Sequence, residues 1–228
     1  MNLTRVQIHD LLLFVVLDDY ASDRESIMGW DNLVESFTFM DWRVSAYYDT
    51  SESSPREWSN IATFLIWSRD VVSPDKADYS SLDDFMENWD DANGVMYFVE
   101  HINYGGGNTK YRITEDRDRA DGVIFATYAT LDAELRDYTP ELVRNHFESE
   151  LLTYTQYANG EVYGFSIEQY GPSCECGQCG EWGFVDGVGG FIGSLDGAIY
   201  SFPAEVPDEL VQLCEASLVF GGRVKVGA

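Results

Sequence analysis

Apolar and polar residues are spaced along the chain in patterns that predict both helices and strands. Residues 3–20 combine a seven-residue apolar run, Leu11 to Leu17, with flanking acids. This combination favours a helix and leaves a buried strand as the alternative. Apolar residues also recur at helical intervals over 30–42 and predict a second helix there, through Trp30, Leu33, Val34, Phe37 and Met40.

Runs of β-branched and aromatic residues predict the strands. In chain order they are 44–48, 61–69, 95–101, 122–130 and 162–169. Gly105–Gly107 predict a turn, and residues 110–114 are expected to pair back across it against the preceding strand. The segment 49–59, which contains several serines and one proline, is expected to form a loop.

Capping residues indicate where three further helices begin. Ser80–Ser81 can cap a short helix that runs through Trp89, with acids in the first turn, where the helix dipole favours negative charge. Thr139 is a good N-cap for a longer helix, with Pro140 at its first position and a glycine at its end. The stripe that this helix is predicted to bury consists of Val143, Phe147, Leu151, Tyr154 and Ala158. A last amphipathic helix is predicted over 207–218.

Together these elements predict an α+β protein whose sheet is mostly antiparallel and which contains three to five helices. No internal repeat, low-complexity tract or long linker interrupts the 228 residues, so a single domain over 1–228 is expected. Residues 171–194 differ in composition from the rest, because they are rich in glycine and contain three of the four cysteines.

The charge balance narrows the possible function classes. Forty Asp and Glu residues stand against 14 Lys and Arg, which gives a formal net charge of −26. Such a chain offers no cationic surface for phosphates, which argues against direct nucleic-acid binding, and anionic lipid repels it. Aromatic residues make up 14% of the sequence, and this argues for a packed core rather than disorder.

The longest apolar run, Leu11 to Leu17, also bears on location. Its seven residues are far fewer than the roughly 20 that a transmembrane helix needs. It lacks the charged n-region and the small-residue cleavage site of a signal peptide. We therefore expect a cytoplasmic protein that does not contact a membrane.

The cysteines are the strongest candidates for metal binding. Cys174, Cys176 and Cys179 form a C-x-C-x2-C pattern, and Cys214 follows much later in the chain. Closely spaced thiolates on a glycine-containing turn can converge on one zinc ion, with Cys214 or a histidine as the fourth ligand. Only one C-x2-C knuckle is present, so the alternative is reduced cysteines that pack a glycine-rich hairpin without metal. The cofactor prediction is therefore either none or one structural zinc.

Motifs for catalysis are absent from the sequence. There is no G-x-S-x-G elbow, no H-E-x-x-H and no G-x4-G-K-[ST], and the glycine-rich stretches are better interpreted as turns. The three histidines, His9, His101 and His146, are each expected to be structural or surface residues. No catalytic residue is predicted.

Acidic residues cluster most densely in the segment LDDFMENWDD, Leu82 to Asp91. On a helix, four of these acids fall close to one face: Asp83, Glu87, Asp90 and Asp91. The run Glu115–Asp121 adds acids that its arginines partly neutralise. Three interpretations remain open: a solvated face without a partner, a calcium loop although the EF-hand pattern is not matched, or a surface that imitates the phosphates of a duplex.

One stretch of the sequence resembles other proteins. The segment Gly122–Glu168, above all YTQYANGEVYGFSIE (Tyr154–Glu168), resembles a group of uncharacterised small acidic proteins from phages and mobile elements. The shared features are a Tyr-x-x-Tyr step, a Gly-x-Val-Tyr-Gly-Phe strand and a later Trp-Gly-Phe segment, here Trp182–Phe184. The Trp-Asp-Ser-Gly motif of that group is replaced here by Asp116–Arg119. The resemblance implies a phage or mobile-element origin and no particular activity.

The functional hypothesis combines the charge with this origin. We expect a non-enzymatic inhibitor that occupies the basic nucleic-acid channel of a host defence or transcription protein by imitating DNA or RNA. A focused negative field would speed capture, and aromatic anchors would slow release. The predicted partner-binding residues are Asp83, Asp84, Glu87, Trp89, Asp90 and Asp91. The alternatives are a salt-adapted or zinc-supported enzyme with its site near the Cys-rich segment, and a virion or assembly component.

Overall fold

The computed structural model describes residues 32–50, 52–58, 60–69, 71–172 and 180–221. The chain divides into two compact units. The inserted unit is Ser53–Glu161, and the flanking unit takes in the chain up to Glu52 and again from Val162. The predicted helix over 3–20 lies outside the described residues, and the single-domain organisation stays a prediction.

Groups of two or three strands are separated by helices. The described strands are β1 (Leu33–Phe39), β2 (Trp42–Tyr48), β3 (Thr63–Ile66), β4 (Gly94–Gly105), β5 (Asn108–Thr114), β6 (Gly122–Thr127), β7 (Val162–Pro172) and β8 (Gly180–Ile192). The described α-helices are α1 (Leu82–Asn88), α2 (Tyr128–Glu134), α3 (Pro140–Ala158) and α4 (Asp208–Glu215). Every strand pair among these is antiparallel, as predicted. The four described α-helices fall within the predicted three to five, and the α+β class is confirmed.

The flanking unit is a four-stranded sheet in the order β1-β2-β7-β8, with α4 packed on β1 and β2. Its core follows the alternation of the strands, because every second side chain points towards α4. The buried side chains of β2, β7 and α4 in this core are Trp42, Val44, Ala46, Phe165, Ile167, Leu210 and Cys214. The predicted strands over 44–48 and 162–169 and the predicted helix over 207–218 are confirmed within this unit.

The predicted helix over 30–42 is wrong, because most of that segment forms strand β1. Phe37 and Phe39 pack into the core, whereas Thr38 between them is exposed, so the pattern also satisfies a period of two. Pairing with β2 settles the choice: Phe37 lies opposite Val44, and the hydroxyls of Ser36 and Ser45 are 3.0 Å apart on the other face. Cross-strand contacts therefore outweigh the helical spacing of the apolar residues.

The turn between β1 and β2 holds a non-glycine residue in a left-handed conformation. Met40 has φ +55° and an 80% exposed side chain, so its backbone strain is not offset by side-chain burial. We expect Met40→Gly to raise the free energy of unfolding by about 1 kcal/mol, since glycine adopts this conformation freely. Urea denaturation measures the change. Thr38→Gly, at an exposed strand position, is the control and should lower stability; a loss for Met40→Gly would contradict the assignment of strain.

The inserted unit is a sheet in the order β3-β6-β4-β5 with apolar clusters on both faces. Within β3, Phe64 and Ile66 point to one cluster and Leu65 to the other. The larger cluster contains the buried face of α3, through Val143, Phe147 and Leu151. The smaller cluster contains three fully buried residues, Leu65, Phe85 and Val123, and includes the packed face of α1.

Helix α3 begins and packs as the sequence predicts. Thr139 is its N-cap, and its hydroxyl accepts a hydrogen bond from the backbone N–H of Leu142 at 3.2 Å. Tyr154 of the predicted stripe is partly buried, whereas Ala158 is exposed. Thr155 takes the buried position at this end of the helix and accepts a hydrogen bond from the backbone N–H of Tyr111 at 3.1 Å.

The other predictions for this unit are confirmed with shifted ends. The strand predicted over 61–69 shortens to β3, and the strand predicted over 122–130 ends at Thr127. Thr127 stops the strand because its hydroxyl caps α2 by accepting from the backbone N–H of Thr130 at 3.2 Å. Gly105–Gly107 form the predicted turn, all with positive φ, and β5 pairs back on β4.

Residues from outside the sheet bond backbone groups at both of its edges. At β3, the backbone N–H of Phe64 donates to Asp75 Oδ2 at 2.6 Å, and the N–H of Asp75 donates back to the Phe64 carbonyl at 3.3 Å. At β5, Asn159 accepts from the N–H of Thr109 at 2.7 Å and donates to its carbonyl at 3.0 Å. Such covered edges are poor templates for pairing with another strand.

Candidate acidic interaction surface

Helix α1 positions the first of the predicted acids. Ser81 caps the helix by accepting from the backbone N–H of Asp84 at 3.1 Å. Asp84 in turn accepts from the backbone N–H and the hydroxyl of Ser80, at 2.8 and 3.0 Å. These hydrogen bonds lower the pKa of Asp84 below its usual value, so this carboxylate is ionised and fixed in place.

An aromatic cluster holds α1 on the sheet. Phe85 is 1% exposed and lies 5.0 Å, between ring centroids, from both Tyr79 and Phe125. Trp89 stacks on Phe85 at 5.5 Å with an interplanar angle of 21°. The predicted aromatic anchor therefore contributes to the packing of this unit, and it is partly rather than fully buried.

The helix ends earlier than predicted. It was expected to run through Trp89 and to place Asp90 and Asp91 on the same helical face as Asp83 and Glu87, but it stops at Asn88. Asp90 instead caps a short 3₁₀ helix, Asp91–Asn93, by accepting from the backbone N–H of Ala92 at 2.9 Å. A side chain that bonds a nearby backbone N–H competes with helix continuation, which explains the early end.

The indole of Trp89 fixes the last of these acids. Its N–H donates to Asp91 Oδ1 at 2.8 Å. Asp90 and Asp91 are both exposed, as are Asp83 and Glu87. The structure thus brings the predicted acids together on a helix and the turn that follows it, rather than on a single helical face.

A second acidic segment joins this surface. Arg117 donates to Asp83 at 3.0 Å, which places the 3₁₀ helix Arg117–Arg119 beside α1. In that segment Arg119 lies 3.4 Å from Asp116, and the Asp116 carboxylate accepts from the backbone N–H of Asp118 at 3.1 Å. We define the acidic surface as the carboxylates of these two segments: Asp83, Asp84, Glu87, Asp90, Asp91, Asp116 and Asp118. The segments supply two arginines against these seven acids.

Only one of the four predicted zinc ligands lies in the described part of the chain. Cys174, Cys176 and Cys179 are outside the described residues. Cys214 is fully buried in the core of the flanking unit, and burial, followed by the nearby Glu35, raises the pKa of its thiol to about 12. A protonated thiol is a poor metal ligand. In the part of the chain that the structure describes, no group of three or more His, Cys, Asp or Glu side chains is arranged to hold a metal ion.

The two histidines that the structure describes contact neighbouring side chains. His101 stacks on Tyr111 at 5.1 Å, and its ring nitrogens lie 3.3 Å from the Ser68 hydroxyl and 2.5 Å from the Thr109 hydroxyl. His146 lies on α3 with Nε2 3.2 Å from Glu150. His9 is outside the described residues.

The inserted unit also contains a buried charged cluster that no sequence pattern predicted. The side chain of Arg56, 5% exposed, donates to Asp75 at 2.5 Å and to Glu150 at 2.8 Å. It also donates to the Ala62 carbonyl at 2.6 Å. Glu150 Oε1 accepts in addition from the backbone N–H of Ile61 at 3.0 Å. This cluster ties the turn that carries Arg56, the loop before α1 and helix α3 together.

Comparison with known proteins adds no family. No family model matches the chain, and no significant match is found among the curated proteins or the solved structures. None of the helices in the described ranges is long and apolar enough to cross a membrane.

Proposed function

We propose that this protein is a non-enzymatic inhibitor that binds a basic nucleic-acid-binding protein of a host cell in place of the nucleic acid. The observation that supports this most directly is the acidic surface. Two chain segments contribute seven carboxylates and two arginines to this surface. Arg117 forms an ion pair with Asp83, and Arg119 forms one with Asp116. An uncompensated negative field of this kind attracts a cationic cleft and raises the association rate.

The hydrogen bonds within the surface strengthen the proposal. Asp84, Asp90 and Asp91 each accept a hydrogen bond from a donor of their own segment, so these carboxylates are held in position. Charges that are fixed before binding lose less conformational entropy when the partner docks. Asp83 and Glu87 are four positions apart on α1, so their Cβ atoms are about 5–6 Å from each other. They add two further carboxylates to the surface.

The cellular setting of this function is also a proposal. An inhibitor of a host defence or transcription protein acts in the host cytoplasm and is consistent with the phage or mobile-element origin that the resemblance over 122–168 implies. The acidity of the flanking unit, which carries acids such as Glu35, Asp41 and Glu168, contributes to the total field and to solubility.

Neutralising the acidic surface tests the proposal. The immobilised protein is incubated with nuclease-treated lysate, captured proteins are identified, and each is purified and loaded with a labelled nucleic acid. We expect the protein to displace that nucleic acid, with an affinity that falls about tenfold between low and physiological salt. The variant that changes four exposed acids without altering their size, Asp83→Asn, Glu87→Gln, Asp90→Asn and Asp91→Asn, should lose displacement by a further tenfold or more.

A matched variant controls for net charge. It neutralises four exposed acids of the same unit that lie outside the acidic surface, Glu57→Gln, Asp132→Asn, Glu134→Gln and Asp137→Asn. We expect it to retain most of the affinity, because long-range charge is screened beyond roughly 8–10 Å. Equal losses in the two variants, or displacement that is indifferent to salt, would refute the acidic surface as the binding site.

A further inference from the structure

We propose that the partner is a protein that binds single-stranded nucleic acid, and that the acidic surface with its aromatic cluster imitates both the phosphates and the bases of a single strand. This inference rests on the function proposed above. A duplex presents its phosphates and keeps the faces of its bases stacked inside. A single strand exposes both, and its binding proteins combine a basic groove with aromatic or arginine side chains on which bases stack.

The first supporting observation is the composition of the sheet face that carries α1. Three residues are fully buried there, whereas the larger cluster on the opposite face contains eleven buried residues. Large apolar side chains that remain partly exposed surround those three: Trp67, Tyr79, Leu82, Met86, Trp89, Met96, Phe98 and Phe125. The short helix of seven residues therefore leaves part of this apolar surface uncovered next to the acids.

The second observation is the geometry of the ring stack. Trp89 lies nearly parallel to Phe85, with 5.5 Å between centroids and 21° between planes, as offset-stacked rings do. Trp67 also contacts Phe85, with 6.2 Å between ring centroids, and its indole N–H donates to the Tyr79 carbonyl at 3.2 Å. Both indoles are thus held at defined angles around a buried ring.

The third observation is that a ring and a carboxylate are joined. The Trp89 indole N–H donates to Asp91 at 2.8 Å, so an aromatic ring and a negative charge are held side by side, and a nucleotide likewise carries an aromatic base and an anionic phosphate. Exposed Glu87 and Asp90 flank the same tryptophan in sequence. The complementary partner carries cations next to aromatic or guanidinium planes, and this combination defines a single-strand groove rather than a purely electrostatic duplex site.

Two short peptides of equal charge provide the probe, one with four Arg-Trp repeats and one with four Arg-Ala repeats. Binding of each to the full-length protein is measured by calorimetry at low and physiological salt. We expect the Arg-Trp peptide to bind about tenfold more tightly, since one stacking contact is worth about that factor. Trp89→Leu should abolish the preference for the Arg-Trp peptide, whereas Glu87→Gln should weaken both peptides equally and preserve the preference.

Controls separate the possible outcomes. Tyr200→Leu removes a 93% exposed aromatic ring of the flanking unit and should leave the preference intact. If Trp89→Leu does not fold, the ring protons of Trp89 in the wild type are followed by NMR, and they should shift with the Arg-Trp peptide and not with the Arg-Ala peptide. Equal affinity for the two peptides overturns the single-strand inference alone. Failure of both peptides to bind in a salt-dependent way counts instead against the proposed function.

The captured partner gives the final test. It is loaded in turn with a fluorescent dT oligonucleotide and with a fluorescent duplex, and the protein is added as competitor. We expect the partner to bind the single-stranded oligonucleotide and to release it when the protein is added. A partner that binds and releases only the duplex overturns it, while leaving nucleic-acid imitation itself in place.

Discussion

Arg56→Leu is expected to destabilise the protein by about 3–5 kcal/mol, because it leaves two carboxylates without their shared cation. The Arg56 side chain is 5% exposed, and Glu150 beside it is 9% exposed, so water cannot replace the lost interaction. Asp75 loses its 2.5 Å contact in the same variant. Urea denaturation of the full-length protein measures the change in the free energy of unfolding.

An exposed ion pair provides the comparison for Arg56. Arg112 contacts Glu100 at 2.7 Å, but the Arg112 side chain is 49% exposed. Arg112→Leu should therefore cost less than about 1 kcal/mol. Adding Asp75→Asn and Glu150→Gln to Arg56→Leu should restore part of the stability, since it removes the uncompensated charges. An Arg56→Leu variant as stable as Arg112→Leu would show that the buried cluster does not hold the unit together.

Phe147→Ala is expected to cost about 3–5 kcal/mol, because it opens a cavity in the larger cluster of the inserted unit. Phe147 has no exposed surface, lies on α3 between Val143 and Leu151, and packs edge-on against Tyr97 at 5.9 Å. Chemical denaturation followed by circular dichroism measures the loss.

Leu152 supplies the control on the same helix. Its side chain is 56% exposed, so Leu152→Ala removes similar apolar atoms without leaving a cavity. We expect a change within about 0.5 kcal/mol. Equal effects at the two positions would mean that α3 is not packed on the sheet by the face that Phe147 shares with Val143 and Leu151.

Local signals in the sequence were sufficient for much of the inserted unit. The Thr139–Pro140 start of α3 and the Ser81 cap of α1 depend on neighbouring residues only, and both are confirmed. β-branched and aromatic runs also located β3 and β6, although not their ends. Capping and propensity act over a few residues, and this is why they can be read before any tertiary contact is known.

Features that depend on tertiary contacts were not predictable in the same way. The apolar residues of 33–39 fit a helical and a strand period equally, and pairing with β2 decided between them. Arg56 meets Asp75 and Glu150 across 19 and 94 residues of sequence, so no local pattern marks the buried cluster. The predicted acids of α1 do gather on one surface, but the contribution of Asp116 and Asp118 depends on the contact between Arg117 and Asp83.

The insertion of one unit within the other has a consequence for the order of folding during synthesis. The sheet of the flanking unit needs β2 beside β7, and the backbone N–H of Asp49 donates to the Val162 carbonyl at 2.9 Å where the chain leaves and returns. At a translation rate of about 5–20 residues per second, β2 waits several seconds for its neighbour to emerge from the ribosome. The inserted unit is continuous in sequence and has all its strands before then, so it can complete its sheet first. Nascent chains arrested just after Glu161 has left the ribosomal exit tunnel, with β7 still inside it, should therefore already contain a protease-resistant Ser53–Glu161 fragment, while β1 and β2 remain open to chaperones.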